Sequence, residues 1–480
     1  MSAVEAPDPR RWKALGVVCL AFFMTVLDVS IVNVALPSIG RDLKFSSDDL
    51  QWVITAYAIT FGGFLLLGGR AADLLGRRRI FVIGMILFTA ASLACGLSSS
   101  EGVLIAARAI QGFGAALVSP AALSIVSTTF TEGAERNKAL GIWGAVGGSG
   151  AAVGVLAGGI LTRYFGWEWI FFVNVPVGII VLILQRRLVR ESKAEGIERG
   201  ADPLGAIAIT AGLALLVYAI SNAPTQGWTS TRTIVLLLAS VVLLVGFVVI
   251  ESVVRVPLVR LSFFRHQTVS AANIVGFLLG ATLFSNFFLL TLYVQQVLGY
   301  SALRAGLTFL FTAGTAVVVA AAAQAMTTKL GPKPVMAIGL ALLGAGALVY
   351  TQLGSDSSFL SSLLPGYVLV GIGIPMAFIP ISIAALAGVE PHEAGLASGL
   401  INTSQQIGGA IGVAVASTIL FTHFNDAVKT GTAPPVALTD GVNIAFWVIA
   451  GVALVAVIAA LTLVRSDEIP AGAEAAAGAV

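Results

Sequence analysis

Charge is what this sequence has least of. Only 11% of its 480 residues are Asp, Glu, Lys or Arg, against about 25% in soluble domains. That is too little to hydrate an ordinary surface, so lipid must cover most of it and a water-soluble enzyme is excluded. The net charge of +3 is no nucleic-acid signal, because the basic residues stand between apolar segments. Cysteine is almost as rare. Cys19 falls near the start of the first apolar segment and Cys95 near the end of the third. At 1.5 Å per residue they differ in depth by roughly 20 Å, beyond the ~7 Å Cα reach of a disulfide, and two free thiols are expected. The histidines are His266, His392 and His423, none in the middle of an apolar segment. There is no metal-ligand cluster, no nucleophile–base arrangement and no phosphate-binding P-loop. An intramembrane enzyme and direct ATP coupling therefore find no support, and no cofactor is expected.

Long apolar runs are plentiful, and about 18 such residues span a bilayer as a helix. Ile234–Ile250 and Val442–Val464 have no reading as soluble structure. Fourteen spans are expected at 13–36, 49–69, 80–97, 103–129, 136–162, 168–188, 204–221, 233–251, 268–298, 302–326, 334–352, 361–386, 393–421 and 441–464. Met1–Arg11 is short and polar, and the first apolar segment runs on to Leu36 without a small-residue cleavage site, so it is expected to remain as a helix. The longest polar connections are Gln185–Asp202 and Thr422–Asp440. Alternating the loops puts Arg41, Lys44, Arg163, Arg232, Arg304 and Lys429 on one side and Arg108 inside a span; every other Lys and Arg falls on the opposite side. By the positive-inside rule that basic side is the cytoplasm, and both termini face it.

Large transporters are often built from two related halves. The loop Gly69–Arg79 has an echo at Lys329–Lys333, and if spans seven and eight are an insert, each loop joins the second and third spans of a six-span half. The expected organisation is a cytoplasmic tail (1–12), a six-helix bundle (13–190), a linker with two extra helices (191–260), a second bundle (261–465) and a cytoplasmic tail (466–480).

A charged group in mid-membrane costs about 2.5–3.5 kcal/mol on insertion scales, so embedded polar residues are informative. Only Asp28 in the first span and Arg108 in the fourth are deeply embedded ionisable residues by this reading. Tyr57 in the second span reaches a similar depth, and an Asp–Arg–Tyr cluster is expected. It either holds helices together or takes up and releases a proton as access alternates, burial and Arg108 pulling Asp28 in opposite directions. In the turn after Gly69, Gly76 allows tight geometry and Asp73 can pair with Arg77 at i,i+4. Gly150, Gly154 and Gly158, four apart on one helix face, let another backbone approach closely, for packing or as a sliding surface. Asn402, Gln405 and Gln406 are spaced to share a face of span thirteen, and span nine holds Asn273, Asn286, Gln295 and Gln296; these line a cavity or bond between helices.

Together these residues resemble the major facilitator superfamily, and specifically its fourteen-span drug:proton antiporter branch. Leu27–Pro37, with Asp28 in its sequence LDVSIVNVALP, is similar to the first-span signature of that branch. Gly69–Arg79 resembles the superfamily's cytoplasmic loop motif; Arg108, Gln111, Gly112 and Gly114 resemble the fourth-span motif whose Arg is tied to proton coupling. The Gly-rich fifth span resembles the antiporter motif, and spans seven and eight the extra pair of this branch. Two positions depart: Val155 stands where a Pro is usual, and Glu168, in Gly166–Pro176, stands where relatives often carry Arg. The resemblance implies an all-α membrane protein of the major facilitator fold, two six-helix bundles plus two inserted transmembrane helices. It implies proton-driven export of hydrophobic, possibly cationic, drug-like compounds by alternating access, from a bacterial plasma membrane. A dedicated exporter of one natural product, or uptake by proton symport, is the alternative. The implied roles are proton coupling for Asp28 and Arg108, and substrate binding for Asp28, Tyr57, Gln111, Asn286, Asn402 and Gln406. Gating falls to Gly69, Asp73, Gly76, Arg77, Gly150, Gly154 and Gly158. Expected partners are a small-molecule substrate, protons and lipid, with no nucleic acid, and the transporter is expected to act as a monomer.

Overall fold

The protein is all helix in a computed structural model, which describes residues 9–46, 49–130, 134–193, 202–259, 264, 266–387 and 394–465. The tail at 466–480 and most of that at 1–12 lie outside the described residues, as does His392. Fourteen helices follow in chain order: α1 Arg11–Asp42, α2 Trp52–Leu75, α3 Arg77–Gly96, α4 Glu101–Thr129, α5 Ala134–Tyr164, α6 Trp169–Leu188 and α7 Pro203–Gln226. Then come α8 Thr231–Val253, α9 Gln267–Val297, α10 Ala302–Leu330, α11 Pro332–Tyr350, α12 Phe359–Ala385, α13 Ala394–Lys429 and α14 Pro434–Leu463. Thirteen of them hold a described stretch long and apolar enough to cross a membrane. α5, at 31 residues, is the remaining one of the fourteen expected spans, and its apolar described stretch is Val153–Tyr164.

Several helices outrun their expected limits, α1, α13 and α14 among them. The first span is expected to end at residue 36, but α1 continues through Pro37 to Asp42. Proline lacks the N–H that would donate to the Asn33 carbonyl, yet the helix runs on, and Arg41 Nε donates to the Pro37 carbonyl at 3.2 Å. Asp28 therefore lies about 21 Å from the end of its helix, in mid-helix and not near its outer end. Likewise most of the polar stretch 422–440 is helical, α13 running to Lys429 and α14 starting at Pro434. There Gly431, with φ +91°, and the two prolines at the first turn of α14 make the turn.

α1–α6 form one bundle and α9–α14 the other, while α7 and α8 pair as a hairpin between them. Small residues set the tight crossings. A side chain at Gly112 would strike the Tyr57 backbone, and one at Gly68 the Ala116 carbonyl; both crossings lock α2 to α4. In the second bundle Gly280 and Gly408 do the same for α9 and α13. The loop echo is physical. Gly76 (φ +118°) ends α2 and Gly331 (φ +82°) ends α10, a backbone region favoured by glycine, and each N–H closes on the carbonyl four residues back. The insert touches both bundles: Gln51 Nε2 of α2 donates to Ser221 Oγ of α7 at 2.7 Å, and Thr418 Oγ1 of α13 donates to the Ile220 carbonyl. One face of α8 exposes Val241, Val242, Val245, Val248 and Val249, as suits a lipid-facing helix.

Candidate functional site

Asp28 is 0% exposed and Arg108 1%, in the middle of the first bundle. Arg108 Nη1 and Asp28 Oδ2 form an ion pair at 2.5 Å. The other carboxylate oxygen accepts from Gln111 Nε2 and from Asn174 Nδ2, both at 2.8 Å. Arg108 is held from three further directions: Nε donates to the Val53 carbonyl at 2.8 Å, Nη1 donates to Gln111 Oε1 at 2.6 Å, and the guanidinium lies 4.4 Å from the Tyr57 ring centroid. Gln111 Nε2 also donates to Ser92 Oγ at 2.7 Å. Five helices thus join one web, with side chains of α4 and α6 on the carboxylate itself.

A buried ion pair is tolerated only when its remaining donors and acceptors are satisfied; both Asp28 oxygens and Arg108 Nε and Nη1 have partners, while Tyr57 Oη and Asn174 Oδ1 beside them have none. The pair is neutral overall, so removing either charge leaves the other uncompensated. Asp28, Arg108 and Tyr57 come together as the depths of their spans suggest, and Gln111, which the resemblance implied, joins them. Asn174, Ser92 and the Val53 carbonyl are additional. Asn174 is a polar residue in an apolar span, the one signal by which the sequence could have marked it.

The glycines of α5 press on the same segment of α1. Side chains at Gly150, Gly154 and Gly158 would meet Val26, the Leu27 carbonyl with Ser30, and Ile31 respectively, so the stripe brackets Asp28. On its other side α5 meets the second bundle, Gly159 against Leu303 and the Val155 carbonyl against Gly306. With Gln295 Nε2 of α9 donating to the Val34 carbonyl at 2.8 Å, these contacts shut the two bundles together at the face opposite the basic loops. In the loop, Arg77 Nη2 pairs with Asp73 Oδ1 at 3.0 Å, Glu191 accepts from the backbone N–H of Arg78 and Arg79, and Gly69 lies against Pro120.

The remaining polar residues do not join the cluster. Asn286 is buried in α9. Asn402 is exposed and donates to the Ser398 carbonyl. Gln406 abuts Gly62 of α2, whereas Gln405 packs on Gly276 and Gly280 of α9. Gln405 and Gln406 therefore face different helices, as adjacent residues diverge by about 100°. Asn273 Oδ1 accepts from Ser404 Oγ at 2.9 Å, a bond between helices.

Two bundles of membrane-spanning helices, the first with a buried, neutral charge pair at its centre, have the architecture of a membrane transporter. The chain belongs to the Major Facilitator Superfamily, whose family description matches residues 18–413. It is 40% identical over 474 residues to a puromycin resistance protein of Streptomyces alboniger, covering 97% of this chain and 93% of that one. It is 39% identical to a cephamycin export protein of Amycolatopsis lactamdurans (86% and 88% covered) and 36% identical to the multidrug resistance protein Stp of Mycobacterium tuberculosis (84% and 74%). Among solved structures it is similar in fold to a POT family transporter, with TM-score 0.69 at 16% identity over 95% of this chain and 98% of that one.

Proposed function

We propose that this protein exports hydrophobic, drug-like compounds, cations among them, by alternating access, driven by protons that bind at Asp28. Its nearly full-length similarity to export and resistance proteins carries the export reading. The closed web at Asp28 carries the proton reading: one carboxylate, neutralised by one arginine, with no second charge to take over. The basic face is the cytoplasm, the membrane is a bacterial plasma membrane, the transporter acts as a monomer, and no cofactor takes part. The test is drug-driven proton counterflow in proteoliposomes. Wild type shows it, and Asp28→Asn abolishes proton-driven export while still binding drug. Full proton-driven export by Asp28→Asn would put the proton elsewhere.

Dedication to a single natural product is the second reading, favoured by similarity to a cephamycin export protein and to a tetracenomycin C resistance and export protein of Streptomyces glaucescens. Growth inhibition across a compound panel, in a host stripped of its own exporters, separates the two. Protection against one chemical class alone selects dedication.

A further inference from the structure

The inserted hairpin carries two carboxylates that the transport reading leaves unused. Asp202 caps the start of α7 and Glu251 lies in the last turn of α8, so both stand at the basic-face end of the pair. Each is 3% exposed. Asp202 Oδ1 accepts from Gly205 N at 2.8 Å, and Glu251 Oε2 accepts from Val259 N at 2.9 Å. The second oxygen of each, Asp202 Oδ2 and Glu251 Oε1, is buried with no hydrogen-bond partner. Both oxygens converge on the point where a side chain of Gly205 would begin, so they face one another across a glycine. Among the described residues neither carboxylate has a cationic partner. Arg255 on the following strap and Arg70 on α2 have interactions of their own, and α13 carries no charge between 397 and 406.

Two buried carboxylates facing each other as bare anions repel, and an unsatisfied buried acceptor costs about 1–3 kcal/mol. One proton between them removes both penalties. We infer that Asp202 and Glu251 bind a proton between them, a second protonation site remote from Asp28. The helix ends assign it. Asp202 sits at a helix N-terminus, where the dipole favours an anion, and Glu251 at a helix C-terminus, where it does not. Glu251 therefore holds the proton on Oε1 and donates to Asp202 Oδ2.

The site has a lever. Through Val259 N, Glu251 holds the strap Val254–Val259, whose Leu258 and Val259 pack with Ala206, Leu400 and the half-buried Phe64, Leu66 and Leu67. That is where α2 and α13 of the two bundles meet the insert. Loss of the proton sets two negative charges face to face beneath the strap and loosens this junction as the pH on the basic face rises.

The inference is independent of substrate and direction, and infrared difference spectroscopy of the full chain in lipid tests it. Wild type at neutral pH should show the carbonyl stretch of a protonated carboxylic acid that disappears on alkalinisation. Glu251→Gln should lack that band but fold, because its amide N–H donates to Asp202 in place of the proton. Asp28→Asn should keep it. Absence of the band from wild type, or its survival in Glu251→Gln, overturns the proposal. Should Glu251→Gln fail to fold, Asp202→Asn replaces it with the same expected loss of the band. Thermal melts give a second reading: wild-type stability should fall as pH rises through the titration, and Glu251→Gln should not show that fall.

Discussion

Arg108 does more than neutralise Asp28. It meets a carboxylate, a main-chain carbonyl, an amide and an aromatic face at once, which a planar fork of donors can do and an ammonium cannot. Arg108→Ala leaves a buried, uncompensated carboxylate and should cost about 3–5 kcal/mol. Adding Asp28→Asn to it should recover part of that loss, and thermal melts of both single variants and the double in one detergent measure the coupling. Tyr57 makes the opposite case. Its ring covers the guanidinium but its Oη has no partner. Tyr57→Phe should therefore leave stability unchanged or slightly raised, whereas Tyr57→Leu loses a desolvated cation–π contact of about 2 kcal/mol. Equal melting of the two variants would show that the ring carries nothing. The sequence made the Asp–Arg–Tyr grouping legible because buried charges need partners. It did not reveal Asn174, because an amide in an apolar span has many ways to be satisfied.

At the scale of one helix, α5 is a spacer between α1 and α10, and its width matters. Gly154 lies against the Leu27 carbonyl and Ser30, beside Asp28, so Gly154→Val forces α1 outward there; overpacking of this kind costs about 1–3 kcal/mol. Export should fall sharply in that variant. Gly246→Val on α8 meets no neighbouring atom within 4 Å and serves as the control with wild-type export. The loop between α2 and α3 makes a kinetic prediction. Asp73 pairs with Arg77 in a turn already held by Glu191 and by Ser192, whose carbonyl accepts from Arg77 N. A half-exposed pair adds little stability, so Asp73→Asn should express normally but transport slowly. Wild-type turnover in that variant would leave the ion pair without a role in the cycle. The repeated i,i+4 glycines announced a close approach; which helix approaches is a long-range fact that spacing does not contain.

For the whole molecule the charge count decides how energy is used. If one proton at Asp28 enters for each monovalent cation exported, no net charge crosses, and the pH gradient alone supplies about 1.4 kcal/mol per unit. Exchange for a neutral compound moves one charge, and the potential adds about 2.3 kcal/mol per 100 mV. Collapsing the potential with valinomycin, at a fixed pH gradient, should slow export of neutral compounds and spare monovalent cations. Equal voltage sensitivity for both classes would refute one-for-one exchange. The Asp202–Glu251 pair lies outside this count, since it sits in the insert at the basic-face end and not in the bundle core.

The sequence by itself determined that the chain is helical and membrane-embedded, and where every helix but the last begins to within three residues, because apolar length and the cost of exposed charge act locally along the chain. It also marked Asp28, Arg108 and Tyr57 as a group. Only the tertiary structure decided their company. It gathered five helices around Asp28, sent Gln405 and Gln406 to different neighbours, carried α1 past Pro37, and set Asp202 against Glu251, residues 49 positions apart that read separately as a helix cap and a span end. Those outcomes depend on how close two backbones can come, and glycine contacts between distant segments set that distance.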